Sequence, residues 1–164
     1  MSSDTITTAL FLIAAVVAAA VLINAMFPVI YTMTGTFSSS SHEADERLRT
    51  DIKIINSYAH SGRAQVWIKN VGTKRIAAEE INQSDLFIGS PTDFESVPKK
   101  VGDLSGNGWD YTILEDENRY WDPAETLHLT MESSKIPTNR GDIVYFQFVS
   151  LTGTVRSVEF SASG

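Results

Sequence analysis

Hydrophobic positions along the chain follow two regimes. From Ala9 to Phe27 the sequence reads ALFLIAAVVAAAVLINAMF, apolar apart from Asn24. As a helix rising 1.5 Å per residue this run is about 28 Å long, close to the ~30 Å hydrocarbon thickness of a bilayer. In lipid such a segment satisfies its backbone only as a helix. Pro28 is a natural place for it to end or kink. Residues 31–49, with a four-serine run followed by mixed charges, read as a Ser-rich spacer or as an extension of the helix, and Gly35 weighs against a rigid continuous one.

From residue 50 the period changes to two. Alternating segments of five to eight residues, bounded by Gly, Pro, Asn or Ser, predict strands at 50–57 (TDIKIINS), 64–71 (AQVWIKNV), 84–88 (SDLFI), 109–114 (WDYTIL), 125–131 (ETLHLTM), 142–149 (DIVYFQFV) and 154–161 (TVRSVEFS). About seven such strands fit an immunoglobulin-like β-sandwich. The alternation puts Val66 with Ile68, Leu127 with Leu129, and Val144 with Phe146 and Phe148 on core-facing sides, and His128 toward solvent. Around Leu48, Ile52 and Ile55 the spacing suits a helix as well as a strand. The last two strands read as a hairpin around Leu151-Thr152-Gly153. The expected organisation is therefore an apolar N-terminal helix at 1–30, a spacer or extension at 31–49, and an all-β domain at 50–164. The helix is of the kind that crosses a membrane or, pilin-like, lies in a filament core.

Charge sharpens this division. Residues 5–41 contain no charged side chain, whereas the chain as a whole carries a formal charge of −7. That acidity and the lack of a basic cluster argue against nucleic acid as a partner. The first Lys or Arg is Arg47, so a cleaved secretory signal lacks its basic start and the apolar run is expected to be retained. Arg47 and Arg49, about 20 residues past the span, point the domain inward under the positive-inside rule, at the limit of that rule's reach. Ala14, Ala15, Ala18 and Ala19 form two overlapping small-xxx-small pairs that let another helix approach. Asn24 either hydrogen-bonds across such an interface or sits at the membrane surface.

Catalytic chemistry has no visible apparatus. Without cysteine there are no disulfides or thiolate sites. His42, His60 and His128 have no zinc or nucleophile-base spacing, and no GxGxxG, GxxxxGK or GxSxG string occurs. No enzyme activity, cofactor or metal is expected. The acidic stretch Glu115-Asp116-Glu117-Asn118 with Asp122 offers oxygen ligands to calcium but departs from the EF-hand spacing, and a solvated loop is the plainer reading. Trp109, Tyr111, Tyr120 and Trp121 fall close together. They are either exposed contact residues or rings packed between strands.

TITTALFLIAAVVAAAVLINAMFP, LRTDIKIIN, VWIKNVGTKRI, DLFIG, YWDPAETLHLT, GDIVYFQF and VRSVEF together resemble the archaellum accessory proteins of the F and G types, more closely the G type, which are related to archaellins. WIKNVGT and WDPAETL are the most specific pieces. The resemblance implies an uncleaved membrane helix and an immunoglobulin-like domain outside the cytoplasmic membrane of an archaeal cell. It also implies a structural role in the stator of the archaellum, with homotypic, other-archaellum and surface-layer contacts. Archaellins begin, after a basic leader, with a Gly-led segment bearing a Glu. Met1 to Thr8 has no Lys, Arg or Gly and only Asp4 as an acid. Two other readings stay open: an archaellin- or pilin-like filament subunit, and a membrane-anchored adhesion or sensor ectodomain.

Overall fold

The computed structural model describes residues 2–115 and 118–163. The chain divides into two compact units between Ala44 and Asp45. Helix α1 spans Ser2–Arg49 and continues through Pro28 and Gly35, so the extension is what forms at 31–49 and Pro28 does not end the helix. Ser and Thr usually leave helices because their hydroxyls compete for backbone partners. Here Thr32, Thr34 and Thr36 donate to the carbonyls of Pro28, Ile30 and Thr32 at 2.8–2.9 Å, keeping those hydroxyls inside the helix's own bonding.

The second unit is built from β1 (Ile52–His60), β2 (Arg63–Asn70), β3 (Ile76–Ala77), the short helix α2 (Ala78–Asn82), β4 (Asp85–Ser90), β5 (Asp93–Val97), β6 (Asn107–Leu114), β7 (Tyr120–Trp121), β8 (Thr126–Ser133), β9 (Ile143–Val149) and β10 (Val155–Ser161). Two four-stranded sheets, ordered β1-β2-β8-β6 and β10-β9-β4-β5, pair antiparallel throughout, and β3 pairs with β7 apart from them. All seven expected strands form. The described residues hold ten strands because β3, β5 and β7 add to these seven.

Val66, Ile68, Leu127 and Leu129 are fully buried from the first sheet, and Leu86, Ile88, Val144 and Phe146 from the second. The period-two faces therefore pack as read. A register shift between Ile54 and Asn56 leaves Ile55 exposed. This bulge explains why the spacing around Ile52 and Ile55 suits two periods. Ser61 and Gly62, both at positive φ, close the β1–β2 hairpin, where Gly62 takes φ 76° without a Cβ penalty. The predicted C-terminal hairpin forms too, with the Ser150 N–H donating to the Thr154 carbonyl at 2.9 Å.

Candidate functional site

The most elaborate polar construction lies where α1 ends. The carbonyl of Arg49 accepts from the N–H groups of Thr73 and Lys74 at 2.9 and 3.1 Å, and that of Asp51 from Val71 and Gly72 at 2.9 and 2.8 Å. The turn after β2 thus caps the helix's last carbonyl, a group every helix end leaves without an internal partner. Gly72 is required there by proximity: a Cβ would stand 2.3 Å from the Arg49 oxygen and 2.6 Å from the Asp51 nitrogen. Around the last turn, Lys74 pairs with Glu46 and Glu80 at 3.5 and 3.3 Å.

Asn70 ties this turn to the stretch preceding β8. It is fully buried, and its Nδ2 donates to the carbonyls of Lys74 (2.9 Å) and Trp121 (3.0 Å), while its Oδ1 accepts from the Gly72 N–H (3.1 Å). Its backbone N–H donates to the Glu125 carbonyl, and its carbonyl accepts from the Ala124 N–H. The strings WIKNVGT and WDPAETL, far apart in sequence, therefore meet at one side chain. Asp122 closes the other side: its carboxylate accepts from Arg75 Nε and Nη2 at 2.9 and 3.1 Å and from Asn118 Nδ2 at 2.9 Å. The Arg75 guanidinium, then the Asn118 amide, holds that carboxyl below the usual range. The guanidinium also lies 4.7 Å over the Tyr120 ring. Sequence reasoning passed over Asn70 and Arg75, although the Lys69-Asn70-Val71-Gly72 turn was the signal.

The four candidate aromatics separate by burial. Trp109 is 1% exposed and Trp121 fully covered, with its Nε1 donating to the Glu125 carbonyl at 3.0 Å. Both are core residues and present no contact surface. Tyr111, half-buried, stands 6.2 Å from Trp109, and its hydroxyl donates to the Ala78 carbonyl at 3.4 Å. Tyr120 is 39% exposed. Of the four, it alone remains outward, clamped by Arg75.

The histidines do not converge. His42 lies on α1, His60 ends β1, and His128 stacks on Trp67 at 4.6 Å on the outer face of the first sheet, its Nε2 3.2 Å from Gln65 Oε1. Burial pushes the His128 imidazole below its ordinary pKa. Among the described residues no three His, Asp or Glu side chains converge to hold a metal. Asp116 and Glu117, part of the calcium expectation, lie outside the described residues, and Asp122 is engaged by Arg75.

Two surfaces remain for partners. Every described side chain of α1 from Ser3 to Thr36 is exposed, including Ala14, Ala15, Ala18, Ala19 and Asn24, and large apolar groups such as Phe11, Val16 and Leu22 project on all sides. A helix apolar all round belongs inside a membrane or a protein core. The helix is long and apolar enough to cross a membrane. The outer sheet faces are the second surface. One carries Phe94, 46% exposed, tilted against Tyr145 at 5.0 Å; the other carries Trp67 with His128, and Lys53 directly opposite Lys69.

A sequence model of the archaeal-type flagellin family matches residues 2–160. An uncharacterised protein of Archaeoglobus fulgidus is 28% identical over 166 residues, covering 98% of this chain and 99% of the relative. The fold is similar to the archaellum periplasmic stator protein FlaG of Sulfolobus acidocaldarius, at TM-score 0.55 and 20% identity over 68% of this chain and 99% of that one. A chain of the archaellum periplasmic stator protein complex FlaF and FlaG of the same organism gives a comparable match, at TM-score 0.56 and 20% identity over 68% of this chain and 89% of that one. The archaeal flagellum of Methanospirillum hungatei matches at TM-score 0.69 and 14% identity, over 96% of this chain and 93% of that one. At these identities the structural likenesses speak for the fold: an apolar helix followed by an immunoglobulin-like all-β domain.

Proposed function

The chain belongs to the archaeal-type flagellin family, and on that premise we propose that it is a non-catalytic structural component of the archaellum machinery. In this reading it is a stator protein, anchored in the cytoplasmic membrane of an archaeal cell by α1, with its sandwich outside in the envelope. There the sandwich contacts its own copies, other archaellum components and the surface layer. The observation that carries this is the pairing of a helix apolar on every side with a domain whose most elaborate hydrogen bonding is spent on the end of that helix. A stator has to pass force between a fixed layer and a membrane anchor without yielding. The Arg49 cap, the Asn70 network and the Arg75–Asp122 pair stiffen the point through which that force passes. Its partners are other proteins and lipid, and the outer sheet faces with Phe94, Tyr145 and Trp67, together with Tyr120 on β7, are the surfaces offered to them.

One observation favours a filament subunit as the second reading. The uncharged stretch 5–41 holds 37 residues, about 55 Å of helix, whereas a bilayer with its headgroups is roughly 40–45 Å thick. The surplus, rich in Thr, Ser and Gly, is made of weak helix formers and gains from being covered by neighbouring helices packed through small residues such as Ala14, Ala15, Ala18 and Ala19. A strain lacking the gene separates the two. Cells that keep their filaments but no longer swim support the stator; cells without filaments overturn it in favour of the subunit.

A further inference from the structure

The two outer sheet faces differ in chemistry. That of the second sheet carries exposed apolar groups, Phe94, Ile143 and Val155, the material of a protein contact. That of the first is hydrated and cationic. In a chain with a formal charge of −7, β1 and β2 contain no Asp or Glu. β6 and β8 bring this face one carboxylate each, and both are engaged: Asp110 by Lys99 at 3.4 Å and Glu132 by Arg63 at 3.0 Å. Lys53 and Lys69, register partners across β1 and β2, form no ion pair among the described residues. Like charges directly opposite on a sheet destabilise it, and an anion seated between them relieves the repulsion.

Beside this pair stands an aromatic wall. Trp67, two residues before Lys69, lies 4.6 Å ring to ring from His128 and 13° from parallel. That separation matches the spacing of neighbouring strands, about 4.8 Å, so both rings stand upright on the sheet. One face of Trp67 is covered by His128, whose Nε2 is anchored 3.2 Å from Gln65 Oε1. The other is turned toward β1, where its register partner is the short, exposed Asn56. β1 bulges between Ile54 and Asn56, opposite that ring, and a bulge is a device that re-aims side chains. The Asn56 carboxamide has no hydrogen-bond partner among the described residues, and Tyr58, 46% exposed, follows it on the same face. A ring face, a free carboxamide and two unpaired ammonium groups thus border one trough. We infer that this trough binds an acidic saccharide. The partly positive C–H face of a sugar ring lies against the electron-rich face of Trp67. Its hydroxyls bond to the Asn56 carboxamide, and its carboxylate or sulfate sits between the Lys53 and Lys69 ammonium groups. An acidic peptide fits less well. It would gain most by adding a strand at an open edge, and the free side of β1 is already held by Arg156 and Ser163. The site serves a stator and a filament subunit alike, so it stands apart from that choice.

Calorimetric and fluorescence titration of the full-length protein in detergent tests it. The probes are oligogalacturonate and dextran sulfate, with neutral dextran and poly-glutamate as controls. Of the three tryptophans, Trp109 and Trp121 are covered, so a change in emission that is absent from Trp67→Phe reports contact at Trp67. At least one acidic saccharide is expected to bind with such a change, and more tightly than either control. The double variant Lys53→Gln, Lys69→Gln should weaken that binding about tenfold, and Asn56→Ala should weaken it several-fold. None of these three side chains has a partner in the fold, and urea midpoints at or above that of the unaltered protein show that both variants remain folded. No binding, binding that leaves the emission unchanged, or an affinity untouched by the double variant overturns the site. Neutral dextran or poly-glutamate binding as tightly overturns it as well, the latter in favour of an acidic protein partner.

Discussion

Replacing Asn70 with Ala removes three hydrogen bonds, but their loss is uneven. The Gly72 N–H keeps its 2.8 Å bond to the Asp51 carbonyl, so it is not orphaned. The carbonyls of Lys74 and Trp121 lose the Asn70 amide as donor, and the second of these bonds is buried. At about 1 kcal/mol for each of the two amide bonds, plus about 1–3 kcal/mol for a buried acceptor left without a donor, the expected loss is about 3–5 kcal/mol. For a domain of about 115 residues that is roughly a 12–20 °C drop in Tm. Asn70→Asp, nearly the same shape, turns the donating amide into an oxygen facing two carbonyl oxygens and buries a charge, so at neutral pH it should cost more than Ala. Full-length protein in detergent, unfolded with urea and followed through Trp109 and Trp121 fluorescence, gives both values. A loss below about 1 kcal/mol for Asn70→Ala, or an Asp variant as stable as the Ala variant, would show that the network does not hold the junction.

Gly72→Ala drives a Cβ against two backbone atoms that have no flexible end to give way. It should cost about 1–3 kcal/mol and speed tryptic cleavage at Arg47 and Arg49, whereas Gly35→Ala, with nothing within 4 Å, should leave domain stability unchanged; equal cleavage rates in the two variants would refute the close approach. The His128 imidazole, pushed below its ordinary pKa by burial, is neutral in both states above about pH 6.5. As pH falls, the unfolded chain takes up the proton first, so stability declines from there down through the folded pKa and then levels off. Urea midpoints measured from pH 7 to 5 should show that decline flattened in His128→Gln, and an unchanged slope would remove His128 as its source.

Where a residue's environment follows from its neighbours in the chain, the sequence reports it. Val66, Ile68, Val144 and Phe146 face the core because strands alternate, and the same rule places Trp109 inward, two residues from Tyr111 and four from Ile113. β5 escapes the pattern because only Val97 of Asp93–Val97 is buried, so its alternation has one apolar mark. β3 and β7 are two residues each and are held beside a network centred on Asn70, whose partners come from positions 72, 74 and 121. No local window contains those partners. The composition past Pro28 leaves a spacer and a helix extension both open; α1 runs through it, with the Thr32, Thr34 and Thr36 hydroxyls accommodated on carbonyls four residues back. The outward role of Tyr120 depended on the burial of Trp121 beside it, which is set by long-range packing.

The order of the strands gives the junction its mechanical meaning. α1 runs almost directly into β1, an edge strand of the first sheet. Arg156 Nε donates to the Ile52 carbonyl at 2.8 Å, and the N–H of Ser163 donates to the Ala59 carbonyl at 2.9 Å, so the free side of β1 is pinned near both ends by the last segment of the chain. Along its other side β1 pairs with β2 from Ile52 to His60. A pull along β1 from Arg49 therefore loads the β2 ladder, Arg156 and Ser163 together in shear, rather than opening bonds one after another. Peeling β1 away from the helix end would instead load first the bonds at Asp51 and Arg49, where Val71, Gly72, Thr73 and Lys74 all donate. Both directions of load meet several hydrogen bonds at once, and that is the property a force-bearing anchor needs and a freely tethered ectodomain does not.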